Sequence, residues 1–194
     1  MRDLIGWWKF DEASGNIAYD SSGYNHHGNL FGGPAHAPGR INNALSFDGT
    51  DDYVSSSIPS VPKIFTIESW IYPTQSGREQ HIAEFTNTQF YVGGNNRLGT
   101  PSWSNVWGNT TLSMNNWYHV VCVRDSTEVR LYLNGNLDGS GGSLGTNPSS
   151  PFAIGDLYGH GGNYKFKGLI DEVRIYNRAL SAEEVLASFQ GRLY

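Results

Sequence analysis

Short apolar or alternating runs recur along the chain, at 5–10, 44–47, 53–54, 65–72, 81–85, 89–92, 117–124, 128–133, 152–154 and 169–176, each bounded by Gly, Asn, Asp, Ser or Pro. Runs this short and this closely spaced predict antiparallel strands in a sandwich or barrel. Side chains alternate across a strand, so Phe65, Ile67, Ser69 and Ile71 share one face while Thr66, Glu68, Trp70 and Tyr72 share the other. The first face is dry; the second is mixed polar and aromatic. Over 117–124 both faces are largely apolar, which suits a central strand covered on both sides. In 128–133, Val129, Leu131 and Leu133 oppose Arg130 and Tyr132, and the run ends in Asn134-Gly135. That dipeptide takes positive φ readily and predicts a tight hairpin.

Two stretches carry little pattern, 93–116 with Trp103 and Trp107, and the Gly/Ser-rich 138–164. Loops of this length inside a compact domain are usually functional or mobile. A single helix is predicted at 181–189: Ser181 caps it, Glu183 and Glu184 suit its positive end, and Val185, Leu186 and Phe189 form an apolar side. With neither repeats nor linkers, residues 1–194 read as one domain. The expected fold is all-β: an antiparallel β-sandwich jelly roll with one short C-terminal helix.

Composition agrees with this picture. Aromatics make up 13% of the chain and there are 24 glycines, a profile of strands and tight turns. The net charge is −5 and the 13 basic residues are scattered. Nucleic-acid binding needs a basic footprint, so that class is excluded. No window approaches the roughly 18 apolar residues of a membrane span, so no membrane insertion is expected. The start of the chain lacks the pattern of a signal peptide, and reads as an excised domain or one whose secretion depends on other segments. Cys122, the one cysteine, lies in an apolar run and is expected to be a small buried hydrophobe.

Several segments in order resemble the laminin-G-like jelly-roll family, related to pentraxins and legume-lectin-like sandwiches. They are Trp7-Trp8-Lys9-Phe10-Asp11-Glu12, Asp20-Ser21-Ser22-Gly23-Tyr24-Asn25 with His27-Gly28, Ala44-Leu45-Ser46-Phe47-Asp48-Gly49, Phe65-Thr66-Ile67-Glu68-Ser69-Trp70-Ile71, and Gly168-Leu169-Ile170-Asp171-Glu172-Val173-Arg174-Ile175-Tyr176. The resemblance runs from Ile5 to about Phe189. It implies a concanavalin A-like sandwich, and a binding module rather than a particular task, because one fold hosts many sites.

Calcium takes six to eight oxygen ligands. The Asp20 to Asn25 turn offers a carboxylate and free carbonyls, and the resemblance implies that a late acid, Asp171, is brought against it. Asp11 or Asp48 would complete the shell of a structural Ca2+. The alternative is that these residues cap turns through their side chains.

Sugar recognition needs exposed rings and fork-like polar groups. Trp103 and Trp107 lie in a polar segment near Tyr91, Asn95, Asn96 and Asn105. Trp70 and Tyr72 would line a concave sheet with His81, Glu84 and Arg130, and Tyr158, His160 and Tyr164 would form a second rim. The alternative is that the loop tryptophans only anchor loops. Trp7, Trp8 and Trp117 are expected in the core.

A glycoside hydrolase needs two carboxylates across a bond, and strand alternation puts Asp171 and Glu172 on opposite faces, leaving Glu68 and Glu84 as isolated acids. No zinc or nucleophile signature is present. Asn109-Thr110-Thr111 matches a glycosylation acceptor. The expectation is a non-catalytic carbohydrate-binding module for oligo- or polysaccharide, secreted or at the cell surface, in company with other domains of a larger protein. The alternative is a structural or protein-interaction domain.

Overall fold

A computed structural model describes residues 3–59, 62–86, 88–100, 105–142, 148–156 and 164–192. The chain runs β1 (Leu4–Trp8), β2 (Ile17–Ala18), β3 (Gly28–Phe31), β4 (Ala35–Pro38), β5 (Asn43–Asp48), β6 (Tyr53–Ser56), β7 (Phe65–Pro73), β8 (Gln80–Thr86), β9 (Thr88–Val92) and β10 (Leu98–Gly99). It continues through β11 (Tyr118–Arg124), β12 (Val129–Leu133), β13 (Asn136–Gly141), β14 (Ser149–Ile154) and β15 (Lys167–Tyr176) to α1 (Ala182–Phe189). All pairings are antiparallel, in two sheets. The first has the order β13-β12-β11-β7-β15-β5-β4, with β1 also paired to β15; the second is β10-β9-β8-β14-β6-β3-β2. The expected jelly-roll sandwich is what forms.

The space between the sheets is filled by the inward faces. Phe65, Ile67 and Ile71 of β7 meet Phe85 of β8, Phe152 of β14 and Trp8 of β1, with the Trp8 and Phe152 rings stacked at 5.3 Å. Val129, Leu131 and Leu133 point into this core, and Cys122 is buried in it as expected. Burial pushes the Cys122 thiol up to about 12. The β12–β13 hairpin turns on Asn134 (φ 49°) and Gly135 (φ 81°), the two-residue connection that the dipeptide predicts. Trp117 departs from expectation: it precedes β11, is half-buried outside the core, and packs on Tyr72 at 5.5 Å.

The outer face of the first sheet is not open. Ser181 caps α1 in a capping box with Glu184, and the Arg178 guanidinium grips the Glu184 carboxylate with contacts of 2.6 and 2.7 Å. This seats the helix so that Val185 joins Val121, Val123, Tyr132 and Leu180 in a second apolar cluster. Leu186, expected on the apolar side, is 40% exposed, and Ala187 is buried instead.

Candidate functional site

The expected ligand residues divide between the two sheets, which corrects the idea of one concave wall. Trp70, Tyr72 and Arg130 stand on the outer face of the first sheet. Trp70 is only 6% exposed: Phe189 of α1 and His119 pack on its ring at 5.7 and 5.2 Å, and the Arg40 guanidinium lies 4.8 Å from its centroid. No face remains for a ligand. Tyr72 is half-buried against Trp117, and Arg130 pairs with Asp125 at 2.8 Å.

Beneath α1 lies a buried ionic group. The Arg174 guanidinium donates to Glu68 Oε1 at 2.8 Å and to Glu172 Oε2, which also accepts from the Trp7 indole at 2.7 Å. Ser188 and Tyr176 hydroxyls donate to the same Glu68 oxygen at 3.0 and 3.3 Å. The pairing shifts register between Asp171 and Arg174, and Glu172 sits at φ 54°. This bulge breaks the alternation expected for Asp171 and Glu172: Asp171 pairs with Trp70 and Arg174 with Glu68, so both acids reach the outer face. Both are buried, and Glu172 is held by Arg174 and the Trp7 indole, its pKa raised above its ordinary value by burial, which Arg174 only partly offsets.

On the second sheet, β8 and β9 bring His81, Glu84, Tyr91 and Trp107 together. His81 pairs with Tyr91, and a bulge follows before Ala83. The two rings stack at 4.9 Å with 20° between planes; Tyr164 meets His81 edge-on at 5.6 Å, and Trp107 stands at 84° to Tyr91, 5.8 Å away. Trp107 is placed by its bridge to Gly99, and its ring runs over Gly93, where an added Cβ would approach to 2.5 Å. The close approach of the indole requires glycine there.

His81 Nε2 lies 2.9 Å from Glu79 and Nδ1 3.2 Å from Glu84. Burial would lower its pKa, but the hydrogen bonds to the two carboxylates win and raise it. Tyr91 is raised by burial and by the charge of Glu79. Depth varies across the cluster. His81 and Tyr91 are buried, Glu79 and Trp107 are half-buried, and Asn95 and Asn105 are exposed. Asn95 Oδ1 caps its own turn by accepting from the Arg97 amide at 3.1 Å. Trp103, Tyr158 and His160 lie outside the described residues.

The expected calcium ligands are dispersed. Both oxygens of Asp20 are engaged, Oδ1 by the Trp7 and Ser22 amides and Oδ2 by the Ser22 hydroxyl and the His26 amide. Those four donors fill a carboxylate's acceptor sites, and Asp20 is held below its ordinary value by them despite burial. Asn25 is exposed at φ 60° in the same turn. Asp171 is elsewhere: Oδ2 accepts from the Arg40 and Ile41 amides at 2.9 Å, while Oδ1 is buried without a hydrogen-bond partner. Burial and the nearby charge of Glu172 push its pKa up to about 7. Asp11 accepts from the Asn43 amide at 3.2 Å. Asp48 joins Asp51 and Asp52 in a three-acid group within 4.8 Å, but Asp48 accepts from the Thr50 amide and Asp52 from the Asp48 amide, as in a turn. Among the described residues the set offers one buried carboxylate oxygen without a hydrogen-bond partner, Oδ1 of Asp171, and not one shared shell. Asn109 is also committed, its amide donating to the Asp138 carbonyl at 2.6 Å.

Sequence reading missed the cavity of about 330 Å³ lined by Ile5, Tyr24, His26, Ile58 and Asn177 among others.

Residues 48–186 match the family model Laminin_G_3, described as the concanavalin A-like lectin/glucanases superfamily. No curated protein matches the sequence. Among solved structures, domain 4 of AbnA, a GH43 extracellular arabinanase from Geobacillus stearothermophilus in complex with arabinotriose, is similar at TM-score 0.74 and 22% identity, covering 95% of this chain and 97% of that one. The binding domain of Paraclostridial Mosquitocidal Protein 1 is similar at TM-score 0.76 and 18% identity, over 97% of this chain and 52% of that one. The receptor binding domain of botulinum neurotoxin type G follows at TM-score 0.68 and 18% identity, over 98% and 51%. The chain thus spans about half the length of the two toxin domains.

Proposed function

We propose that this chain, which belongs to the concanavalin A-like lectin/glucanase superfamily, is a non-catalytic carbohydrate-binding module of a secreted or surface protein. The observation that carries the reading is the partly exposed indole of Trp107, which lies over Gly93 with Asn95 and stands edge-on to Tyr91, itself hydrogen-bonded to Glu79. A partly exposed indole near an amide and a carboxylate suits the apolar side and the hydroxyls of a sugar. The full-length likeness to an arabinanase domain bound to arabinotriose supports the same class. The acids offer no pair across an open cleft among the described residues: Glu68 and Glu172 share Arg174, and Glu84 holds His81.

The rival reading is an interaction domain without a glycan ligand. It is favoured by the burial of His81 and Tyr91, which leaves Trp107, Glu79 and Asn95 to make the contact. Affinity electrophoresis in arabinan, xylan and β-glucan separates the two. Retardation that Trp107→Ala removes, with an unchanged melting temperature, is the expected result. Free migration in every gel, or equal retardation of the variant, would sink the carbohydrate reading.

The structural calcium ion is proposed for Asp171 with Asp11, on the strength of the partnerless buried Oδ1 of Asp171. Such an ion would tie the 39–43 loop to β15 through the Asp171 contacts to Arg40 and Ile41 and stabilise by binding only the folded chain. Millimolar calcium should then raise the melting temperature of the native protein and leave Asp171→Asn unmoved. Identical transitions in calcium and EDTA would remove the ion.

A further inference from the structure

The cavity between β1, the turn after β2 and the segment after β6 has features of a ligand pocket that are independent of Trp107. Its apolar wall is formed by Ile5, Ile58 and Pro59, the isoleucines being 7% and 1% exposed. Across from them, the Tyr24 ring, 58% exposed, stacks on His26 at 5.8 Å with 14° between planes.

His26 is fixed from several sides. Its amide donates to Asp20 Oδ2 at 2.9 Å, and its carbonyl accepts from the Trp8 indole at 3.0 Å and from Ser56 at 2.8 Å. The ring nitrogen Nδ1 lies 2.8 Å from the Ile5 carbonyl. A carbonyl only accepts, so Nδ1 carries the proton, and in the neutral imidazole Nε2 is left with its lone pair. The fully occupied carboxylate of Asp20 is what holds this arrangement, which gives that residue a role other than metal binding. Asn177 adds an exposed amide at the rim, its backbone anchored to the Asp3 carbonyl at 2.8 Å.

We propose that this cavity is a second binding site, for one ring of a neutral saccharide. Among the described residues the lining contains no carboxylate and no lysine or arginine, which disfavours amines, phosphates and acids alike. What it offers is an apolar wall for the C–H face of a sugar ring, an acceptor at His26 Nε2, and a donor and acceptor at Asn177. Its volume of about 330 Å³ is at the small end of ligand pockets, matching one ring rather than a chain. The inference rests on the carbohydrate reading for the ligand class, but not on the Trp107 site. Two sites of modest affinity on one module would act together on a polymer, because the second contact is made at high effective concentration.

The test is a titration of the ¹⁵N-labelled chain with arabinotriose, xylotriose and cellotriose, following the Trp8 indole N–H, which reports through the His26 carbonyl, together with Asn177 and the Trp107 indole. A saccharide that shifts Trp8 and Asn177, in native protein and in Trp107→Ala alike, is the expected result. Tyr24→Ala and Asn177→Ala, both at exposed positions, should each weaken that response about tenfold while leaving shifts at Trp107 unaltered. Shifts at Trp107 alone would overturn the second site and leave the first standing. Silence at both would overturn both. An equal response of Trp8 and Asn177 to tert-butanol would show a pocket for apolar solutes and end the saccharide assignment.

Discussion

Arg174→Met tests the buried ionic group most directly. The guanidinium, 4% exposed, serves Glu68 Oε1 at 2.8 Å and Glu172 Oε2 at once, and its charge is favoured by both carboxylates against the cost of burial. Methionine fills similar volume but strands two buried carboxylates, leaving among the described residues the hydroxyls of Tyr176 and Ser188 and the Trp7 indole as donors, with the His119 ring 3.8 Å from Glu68 Oε2. Breaking a buried pair from one side costs about 3–5 kcal/mol. Two acids depend on this one cation, so the loss belongs near the top, about 5 kcal/mol. At roughly 2–4 °C per kcal/mol for a chain of this size, the melting temperature falls by about 10–20 °C. Urea unfolding followed by tryptophan fluorescence measures it. The loss must shrink on acidification. A carboxyl whose folded pKa is raised is favoured in its protonated form, so the variant regains stability relative to native protein as the pH falls below neutral. Glu68→Gln combined with Arg174→Met should cost less than the two single losses added, with a coupling of about 2 kcal/mol. A single-variant loss under about 1 kcal/mol at neutral pH, or one that ignores pH, would refute the reasoning.

His81 should titrate above its ordinary 6.5 in an NMR experiment, because the contacts to Glu79 and Glu84 outweigh burial. Its folded pKa is raised, so the stabilisation is complete below the unfolded value of 6.5 and is lost as pH rises through the folded one; native protein should exceed His81→Gln by more in mild acid than in alkali, and a constant difference would argue against the pairing. Cys122 should resist a thiol reagent until the chain unfolds, since the group is buried and its pKa is pushed up to about 12; labelling faster than global unfolding would contradict that placement. Ser181→Ala should cost about 1 kcal/mol by removing the cap of α1, as read by chemical denaturation.

Elements were legible in the sequence wherever hydrophobic pattern decided them. The runs at 65–72, 81–85 and 169–176 became β7, β8 and β15 with modest extension, because each buries at least one face. β13 carried no such signal: Asn136–Gly141 is polar and glycine-rich, and is a strand only because the Asn134-Gly135 turn delivers it to β12. β2, β3 and β4 were missed for a related reason, being two to four residues long and paired largely through the backbone.

Site legibility failed at a different level. Period-two alternation correctly put Glu68, Trp70 and Tyr72 on one face, but a strand cannot announce what covers it, and the covering element here is a helix more than a hundred residues later in the chain. Alternation also cannot foresee a bulge, so Glu172 at φ 54° joined the side it was expected to avoid. Second-sheet residues His81, Tyr91 and Trp107 did converge, because their strands are neighbours in sequence and a short hairpin preserves proximity. Of the expected calcium ligands, Asp11 and Asp171 meet at the 39–43 loop, while Asp20 stays apart and spends its acceptor capacity on its own turn and on the Trp7 amide. Local hydrogen bonding can satisfy an aspartate as fully as a metal can, so an Asp-rich turn predicts geometry before it predicts an ion. The Asp20 turn is the clearest instance: its carboxylate is occupied by four donors, one of which, the His26 amide, helps hold His26 at the cavity.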